Sequence, residues 1–135
     1  MIAREYMSPE PFVVHVTDSI GSVLTMMMEA DVRHLPVVEN GMLLGIVSDR
    51  DLRRSLDVIP GPARGGRLNA LERPISDLMS SDVISVNEET EIVEVIDLML
   101  DHKIGALPVV DGDSLKVVGI ISYIDVLRAA RPKLS

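Results

Sequence analysis

Two short stretches of the chain place a serine and an aspartate three residues apart in the same frame. They are GIVSDRDL at residues 45–52 and GIISYIDV at residues 119–126. A serine followed three residues later by an acidic residue is typical of a capping box, which starts a helix. A helix start also offers free N–H groups to a phosphate, and a carboxylate one turn further on can accept hydrogen bonds from both hydroxyls of a ribose. Ser48, Asp51, Ser122 and Asp125 are therefore candidates for either role.

Two features of these stretches favour ligand binding over capping alone. The usual partner at the third helical position is Glu or Gln, which is long enough to reach back to the capping residue, whereas both stretches carry the shorter Asp. Both also place a glycine three residues before the serine, where the backbone must bend or a ligand must approach closely. These features favour a ligand at one or both stretches, capping alone stays the alternative, and the two roles can coexist.

The frame is part of a repeat that covers nearly the whole chain. Self-similarity at a fixed offset indicates a repeat architecture. We predict a first repeat at residues 1–58, a connector at 59–74 and a second repeat at 75–135. The matching segments are HLPVV (34–38) with ALPVV (106–110), VVHV (13–16) with VISV (83–86), and EYMS (5–8) with DLMS (77–80).

Each copy predicts the order β-α-β-β-α. The β-branched runs are typical of strands, and the apolar residues between them recur at helical spacing. One copy is too small to bury a good core, so we expect an α+β fold in which the two copies pack with pseudo-twofold symmetry into one module. The predicted first strands are 13–16 and 83–86, and the predicted first helices are 19–30 and 89–102, with Asp18 and Thr90 as N-caps.

The composition excludes several classes of function. The chain has 135 residues and no Cys, so disulfides, thiolate nucleophiles and cysteine zinc sites are ruled out. A formal charge of −8 argues against nucleic-acid and polybasic membrane partners. Residues 49–73 nevertheless hold six arginines against four acidic residues, so an anion has a positive segment to bind.

The sequence also lacks the patterns of an enzyme, a metal site or a membrane segment. The three histidines are widely spaced, and no nucleophile is paired with a general base. No apolar run approaches the roughly 18 residues that span a bilayer, and charges occupy the N-terminus where a signal peptide is apolar. We expect a cytoplasmic protein that binds no metal and catalyses no reaction.

Taken together, the M-S lead-in, the aliphatic helix, the x-L-P-V-V strand and the G-I-V-S-D-R-D or G-I-I-S-Y-I-D frame resemble a known family. They resemble a tandem pair of cystathionine-β-synthase-type (CBS) domains, or Bateman module, here as a stand-alone chain. The resemblance implies a regulatory module that binds AMP, ADP, ATP or S-adenosylmethionine in the cleft between repeats and signals to a partner protein. It also implies homodimers formed through the helices.

The resemblance assigns roles to particular residues. Asp51 and Asp125 hold the ribose, with Ser48 and Ser122 near the sugar or phosphate. Each Asp faces strands of the other copy, and Arg33, His34 and Arg50 are candidates for phosphate contacts, although a solvated surface is the alternative for the arginines. The implied partners are Val14, Val32 and Arg33 for Asp125, Ile84, Ile104 and Gly105 for Asp51, and Ile46 with Ile120 for the adenine.

Three questions stay open at this level. The residues do not distinguish among the adenosine ligands, nor do they show whether one or both clefts bind, although the presence of Arg33 favours the cleft of Asp125 for phosphate. The alternative function is an assembly scaffold with empty clefts, in which loss of Asp51 and Asp125 changes no ligand response.

Overall fold

The computed structural model describes residues 1–57 and 70–134, which form two compact α+β units. We call the first the N-terminal unit; it comprises Phe12–Glu39 and Leu44–Val83. The C-terminal unit comprises Met1–Pro11, Asn40–Leu43 and Ile84–Ser135. The predicted mixed α+β class is confirmed.

Both copies contain the predicted β-α-β-β-α order of elements. Two 3₁₀ turns, Ile75–Asp77 and Arg131–Lys133, complete the described secondary structure together with helical residues 70–72. The elements are α1 (Ala3–Tyr6), β1 (Ser8–Pro9), β2 (Val14–His15), α2 (Ile20–Ala30), β3 (His34–Glu39), β4 (Met42–Ser48), α3 (Asp49–Asp57), β5 (Val86–Asn87), α4 (Ile92–His102), β6 (Ala106–Val110), β7 (Val117–Ser122) and α5 (Tyr123–Ala130).

Each unit is built on a small sheet with the same internal pairing. In the N-terminal unit the strand order is β2-β3-β4, with β2 parallel to β3. In the C-terminal unit the order is β1-β7-β6-β5, with β5 parallel to β6 and β6 antiparallel to β7. In both units a parallel strand pair is followed by a hairpin. The second helix of each copy begins where the last strand of that hairpin ends.

The two cores are aliphatic because the chain has almost no aromatic residues. Fully buried Val, Ile and Leu side chains each contribute about 1.5–3 kcal/mol relative to exposure. Met27 and Met99 lie in these cores, whereas Met28 is exposed. The buried members are Val14, Ile20, Val23, Met27, Leu35, Val37, Val47, Leu52 and Ile75 in one unit, and Ala3, Val86, Ile92, Val95, Met99, Leu107, Val109, Ile121, Val126 and Ala129 in the other.

The M-S lead-in is the Met-Ser pair before the first strand of each copy, Met7-Ser8 and Met79-Ser80. Each unit takes its lead-in from the other copy of the repeat. In the C-terminal unit, Ser8 of β1 pairs with Ile120 of β7. In the N-terminal unit, Ser80 forms a β-bridge with Ile46 of β4, through backbone hydrogen bonds of 3.3 and 3.2 Å. The compact units are therefore not the sequence repeats, because their lead-ins are exchanged.

The lead-ins also explain the glycine in each Gly-x-x-Ser frame. A Cβ at Gly45 would lie 2.6 Å from the backbone oxygen of Ser80, and a Cβ at Gly119 would meet Met7 Sδ and lie 3.1 Å from Ser8 O. At Gly45 a side chain larger than hydrogen requires a shift of the crossing strand, whereas at Gly119 the nearest obstacle is the flexible thioether of Met7. The close approach that we attributed to a ligand is thus already made by the protein's own backbone.

The predicted N-caps Asp18 and Thr90 are wrong. Ser19 caps α2 by accepting the N–H of Ser22 at 3.1 Å, and Glu91 precedes α4 without a side-chain cap. Asp18 and Thr90 instead close the turns after β2 and β5, accepting the N–H groups three residues earlier at 2.9 and 3.1 Å. Such short-range side-chain bonds compete with capping.

Two further predictions concern segment limits. The strand predicted at residues 83–86 forms at Val86–Asn87, later than expected. Helix α3 continues to Asp57. The Gly- and Pro-rich part of the connector, with Arg64 and Arg67, lies outside the described residues, so the boundaries drawn at 58/59 and 74/75 stay predictions.

Candidate ligand-binding site

The start of α3 in the N-terminal unit brings several of the predicted residues together. Strand β4 ends at Ser48, whose Oγ accepts the backbone N–H of Asp51 at 3.1 Å. The N–H of Asp49 donates to the carbonyl oxygen of Arg33 at 2.8 Å. This bond fixes the first turn of α3 against the residue that precedes β3. Arg33, His34, Ser48 and Asp51 therefore belong to one end of the β3–β4 pair.

The carboxylate of Asp51 is exposed and accepts no hydrogen bond from the part of the chain that the structure describes. It lies in the first turn of a nine-residue helix, where the helix dipole favours negative charge. Both oxygens keep their lone pairs for hydroxyl donors. This is the state that recognition of a diol requires.

Arg33 is held only loosely. Its Nη1 lies 3.7 Å from Asp49 Oδ2, and its side chain is 78% exposed, while Arg53 Nε binds the other oxygen of Asp49 at 2.9 Å. An exposed ion pair of this kind is worth less than about 1 kcal/mol. The guanidinium can consequently exchange Asp49 for another anion at little cost.

His34, the first residue of β3, is half-buried beside this helix start. Burial lowers the pKa of His34 from its ordinary value of 6.5, and the charges of Asp51 and Asp49 oppose that shift. The neutral imidazole is favoured, so the ring offers one donor and one acceptor. Arg50 is exposed on the first turn of α3.

The apolar residues predicted around this end divide into two kinds. Val14 is fully buried in the core of the N-terminal unit, so its side chain is committed to packing. Val32 packs on the same core but is half-buried, and Ile46 of β4 is half-buried too. Ile46 and Val32 thus keep exposed apolar surface, whereas Val14 offers only its backbone.

The equivalent end of the C-terminal unit is built from the same bonds. Strand β7 ends at Ser122, and the N–H of Tyr123 donates to the carbonyl oxygen of Gly105 at 2.9 Å. Ile84 and Ile104 are half-buried against the core, and Ile120 is half-buried on β7. Gly105, Ser122 and Asp125 are thus brought together, as their counterparts are in the N-terminal unit.

The carboxylate of Asp125, in contrast, accepts two hydrogen bonds through one of its oxygens. Its Oδ2 accepts the backbone N–H of Ser122 at 2.8 Å and the Ser122 hydroxyl at 3.1 Å. In return, the backbone N–H of Asp125 donates to Ser122 Oγ at 3.3 Å. Arg128 Nη1 lies 3.6 Å from Oδ1. This is a complete capping box. Our expectation that Asp is too short to close one is wrong at Asp125.

Sequence reasoning missed Asp49. This residue connects Arg33, Arg53 and the start of α3, and its side chain is only 17% exposed. The signal was present, because Asp49 and Arg53 stand at the i and i+4 spacing that places opposite charges together on a helix. The predicted partners of Asp51 and Asp125 across copies lie in different units, and their pairing stays a prediction.

Comparison with known proteins shows the family. The CBS domain model matches residues 3–58 and 75–132, which is most of the chain. The chain therefore belongs to the CBS domain family, and it carries two CBS repeats. A 33.4 kDa protein in the ribosomal RNA operon of Thermofilum pendens is 40% identical over 121 residues; the match covers 84% of this chain but only 40% of that protein.

Two solved structures share the fold and were determined with adenosine compounds. The CBS domain pair of protein MJ0100, in complex with 5′-methylthioadenosine and S-adenosyl-L-methionine, has a TM-score of 0.84 and 27% identity, covering 98% of each chain. CBSX2 in complex with AMP has a TM-score of 0.80 and 30% identity, covering 99% of this chain and 98% of that one; a chloroplastic CBSX2 is known from Arabidopsis thaliana.

The described helices are all short. The longest, α2 and α4, have 11 residues each. Within residues 1–57 and 70–134, none has both the length and the apolar character that a bilayer crossing demands.

Proposed function

We propose that this protein is a regulatory module that binds an adenosine compound, AMP, ADP, ATP or S-adenosylmethionine, and passes the bound state to a partner protein. The observation that carries the proposal is the open carboxylate of Asp51 at the start of α3, with His34 beside it. The adenosine compounds bound by MJ0100 and CBSX2 support the choice of ligand class. Catalysis is not part of the proposal.

The chemistry of the site suits a nucleoside with an anionic substituent. A carboxylate with free lone pairs accepts both ribose hydroxyls, and a guanidinium such as Arg33 grips a phosphate through two donors. The half-buried aliphatic surface of Ile46 suits the face of an adenine, and Ile120 offers the same kind of surface in the C-terminal unit. Signalling then requires that the ligand bind one arrangement of the protein more tightly than another. A homodimer in the cytoplasm, with an effector protein as reader, completes the proposal.

A scaffold function is the second candidate, and one observation favours it. At Ser122–Asp125 every short-range bond is satisfied within the helix start itself. If neither stretch bound ligand, the repeats would serve assembly alone. The response to adenosine compounds separates the two candidates.

Thermal melting with a ligand panel tests the proposal. We would compare the wild type with the Asp51→Ala/Asp125→Ala double variant in AMP, ADP, ATP and S-adenosylmethionine. A ligand at about 100 times its Kd stabilises the folded state by about 2.7 kcal/mol, which is several degrees for a domain of this size.

The matched control is Asp113→Ala, which removes one exposed carboxylate from the turn after β6. We expect a shift in the wild type and in the control, and none in the double variant. No shift in the wild type with any member of the panel contradicts the proposal and favours the scaffold.

A further inference from the structure

The two Ser-x-x-Asp stretches look equivalent in sequence but differ in their hydrogen bonds. Within the described residues, the Asp51 carboxylate accepts none, although Ser48 caps the helix through its own hydroxyl. The Asp125 carboxylate accepts two hydrogen bonds from Ser122 and faces Arg128. The same residue type is thus open in one repeat and occupied in the other.

This difference matters because a ribose must be held by free lone pairs. A carboxylate has about four acceptor positions on its two oxygens. At Asp125, both donors of Ser122 point at Oδ2 and the guanidinium of Arg128 lies 3.6 Å from Oδ1. A ligand there competes with the two bonds at Oδ2, and the side chain is only 12% exposed, which leaves little room for hydroxyls at Oδ1. At Asp51 no bond is lost.

The charges around the two helix starts differ in the same sense. The first turn of α3 carries Arg50. In the same turn, Asp49 forms ion pairs with Arg33 and Arg53. In the second repeat, neutral residues stand at the positions that match Arg33, His34, Asp49 and Arg50. They are Gly105, Ala106, Tyr123 and Ile124. Arg33, Arg50 and Arg53 therefore give the start of α3 more basic side chains than Arg128 gives the start of α5.

We infer that the two stretches have divided the two roles: Ser48–Asp51 binds the ribose of one adenosine compound, and Ser122–Asp125 serves only as a helix cap. The protein then binds one such ligand per chain. This inference rests on the proposed function and refines it. It reverses the expectation that the better phosphate site belongs to Asp125.

Isothermal titration of the full chain tests the division of roles. The variants are Asp51→Asn and Asp125→Asn, a matched pair of isosteric changes. In Asp125→Asn the amide oxygen would still accept the Ser122 N–H, so the fold is retained, and melting of each variant without ligand verifies this. The probe is AMP, followed by S-adenosylmethionine if AMP produces no heat.

We expect one site per chain, an affinity about 10- to 100-fold weaker in Asp51→Asn, and a change of less than about threefold in Asp125→Asn. Two sites per wild-type chain, lost affinity in Asp125→Asn, or unchanged affinity in Asp51→Asn overturns the inference while the proposed function stands. Wild-type protein that binds neither probe, nor ADP or ATP, contradicts the proposed function itself.

Discussion

Replacing Gly45 by alanine separates two explanations for the glycine in the Gly-x-x-Ser frame. The added methyl would lie 2.6 Å from the backbone oxygen of Ser80 and 3.1 Å from Met79 Sδ, so the lead-in strand must move. Overpacking of this kind costs about 1–3 kcal/mol, and the two backbone bonds between Ile46 and Ser80 are worth about 1 kcal/mol each. Because a small shift of the lead-in loses about one of these two bonds, we expect Gly45→Ala to lower the free energy of unfolding by about 2–4 kcal/mol.

Urea unfolding followed by circular dichroism measures this loss, which corresponds to a fall in Tm of roughly 10 °C. Gly112→Ala is the control, because a Cβ there meets nothing within 4 Å. Gly119→Ala should lower the free energy of unfolding less than Gly45→Ala does, since the nearest obstacle to the added methyl is the flexible thioether of Met7. If Gly45→Ala unfolds like the wild type but loses its response to AMP, the glycine serves the ligand and the lead-in argument is refuted.

The remaining predictions concern the caps, the half-buried His34 and the core. Asp125→Ala should lower the free energy of unfolding by about 1–2 kcal/mol and Asp51→Ala by less, because only Asp125 closes a capping box; urea unfolding of both measures the difference, and equal losses would contradict it. Burial lowers the pKa of His34, so its neutral form stabilises the folded state above about pH 6.5 and that contribution is lost as the pH falls. Melting between pH 5 and 8 should therefore show a shallower acid decline for His34→Gln than for the wild type or for the exposed control His102→Gln; parallel curves would exclude this role. Leu107→Ala, at a fully buried position, should cost about 2–5 kcal/mol in urea unfolding, and a loss below about 1 kcal/mol would show that the site collapses.

Much of the fold could be predicted from sequence because the same patterns occur in both copies of the repeat. The LPVV strands, the aliphatic helices and the Ser-x-x-Asp helix starts occur twice, and each appears where the periodicity indicates. The N-caps could not be predicted reliably. Asp18 and Asp125 are both acidic residues near a helix start, yet one closes a turn and the other a capping box. The difference depends on backbone angles that the residue type does not determine.

The sequence by itself determined the two repeats, the aliphatic cores and the identity of the four Ser and Asp candidates, because these depend on composition, periodicity and spacing, and its motifs carried the resemblance to the family. Only the tertiary structure decided what the glycines are for and which carboxylate is open. Gly45 is needed because a lead-in from further along the chain, at Ser80, crosses it. Asp125 is occupied because its carboxylate lies 2.8 Å from the backbone nitrogen of Ser122, whereas Asp51 accepts no such bond within the described residues. Contacts of this kind depend on distances between atoms, and identical spacing in sequence leaves those distances undetermined.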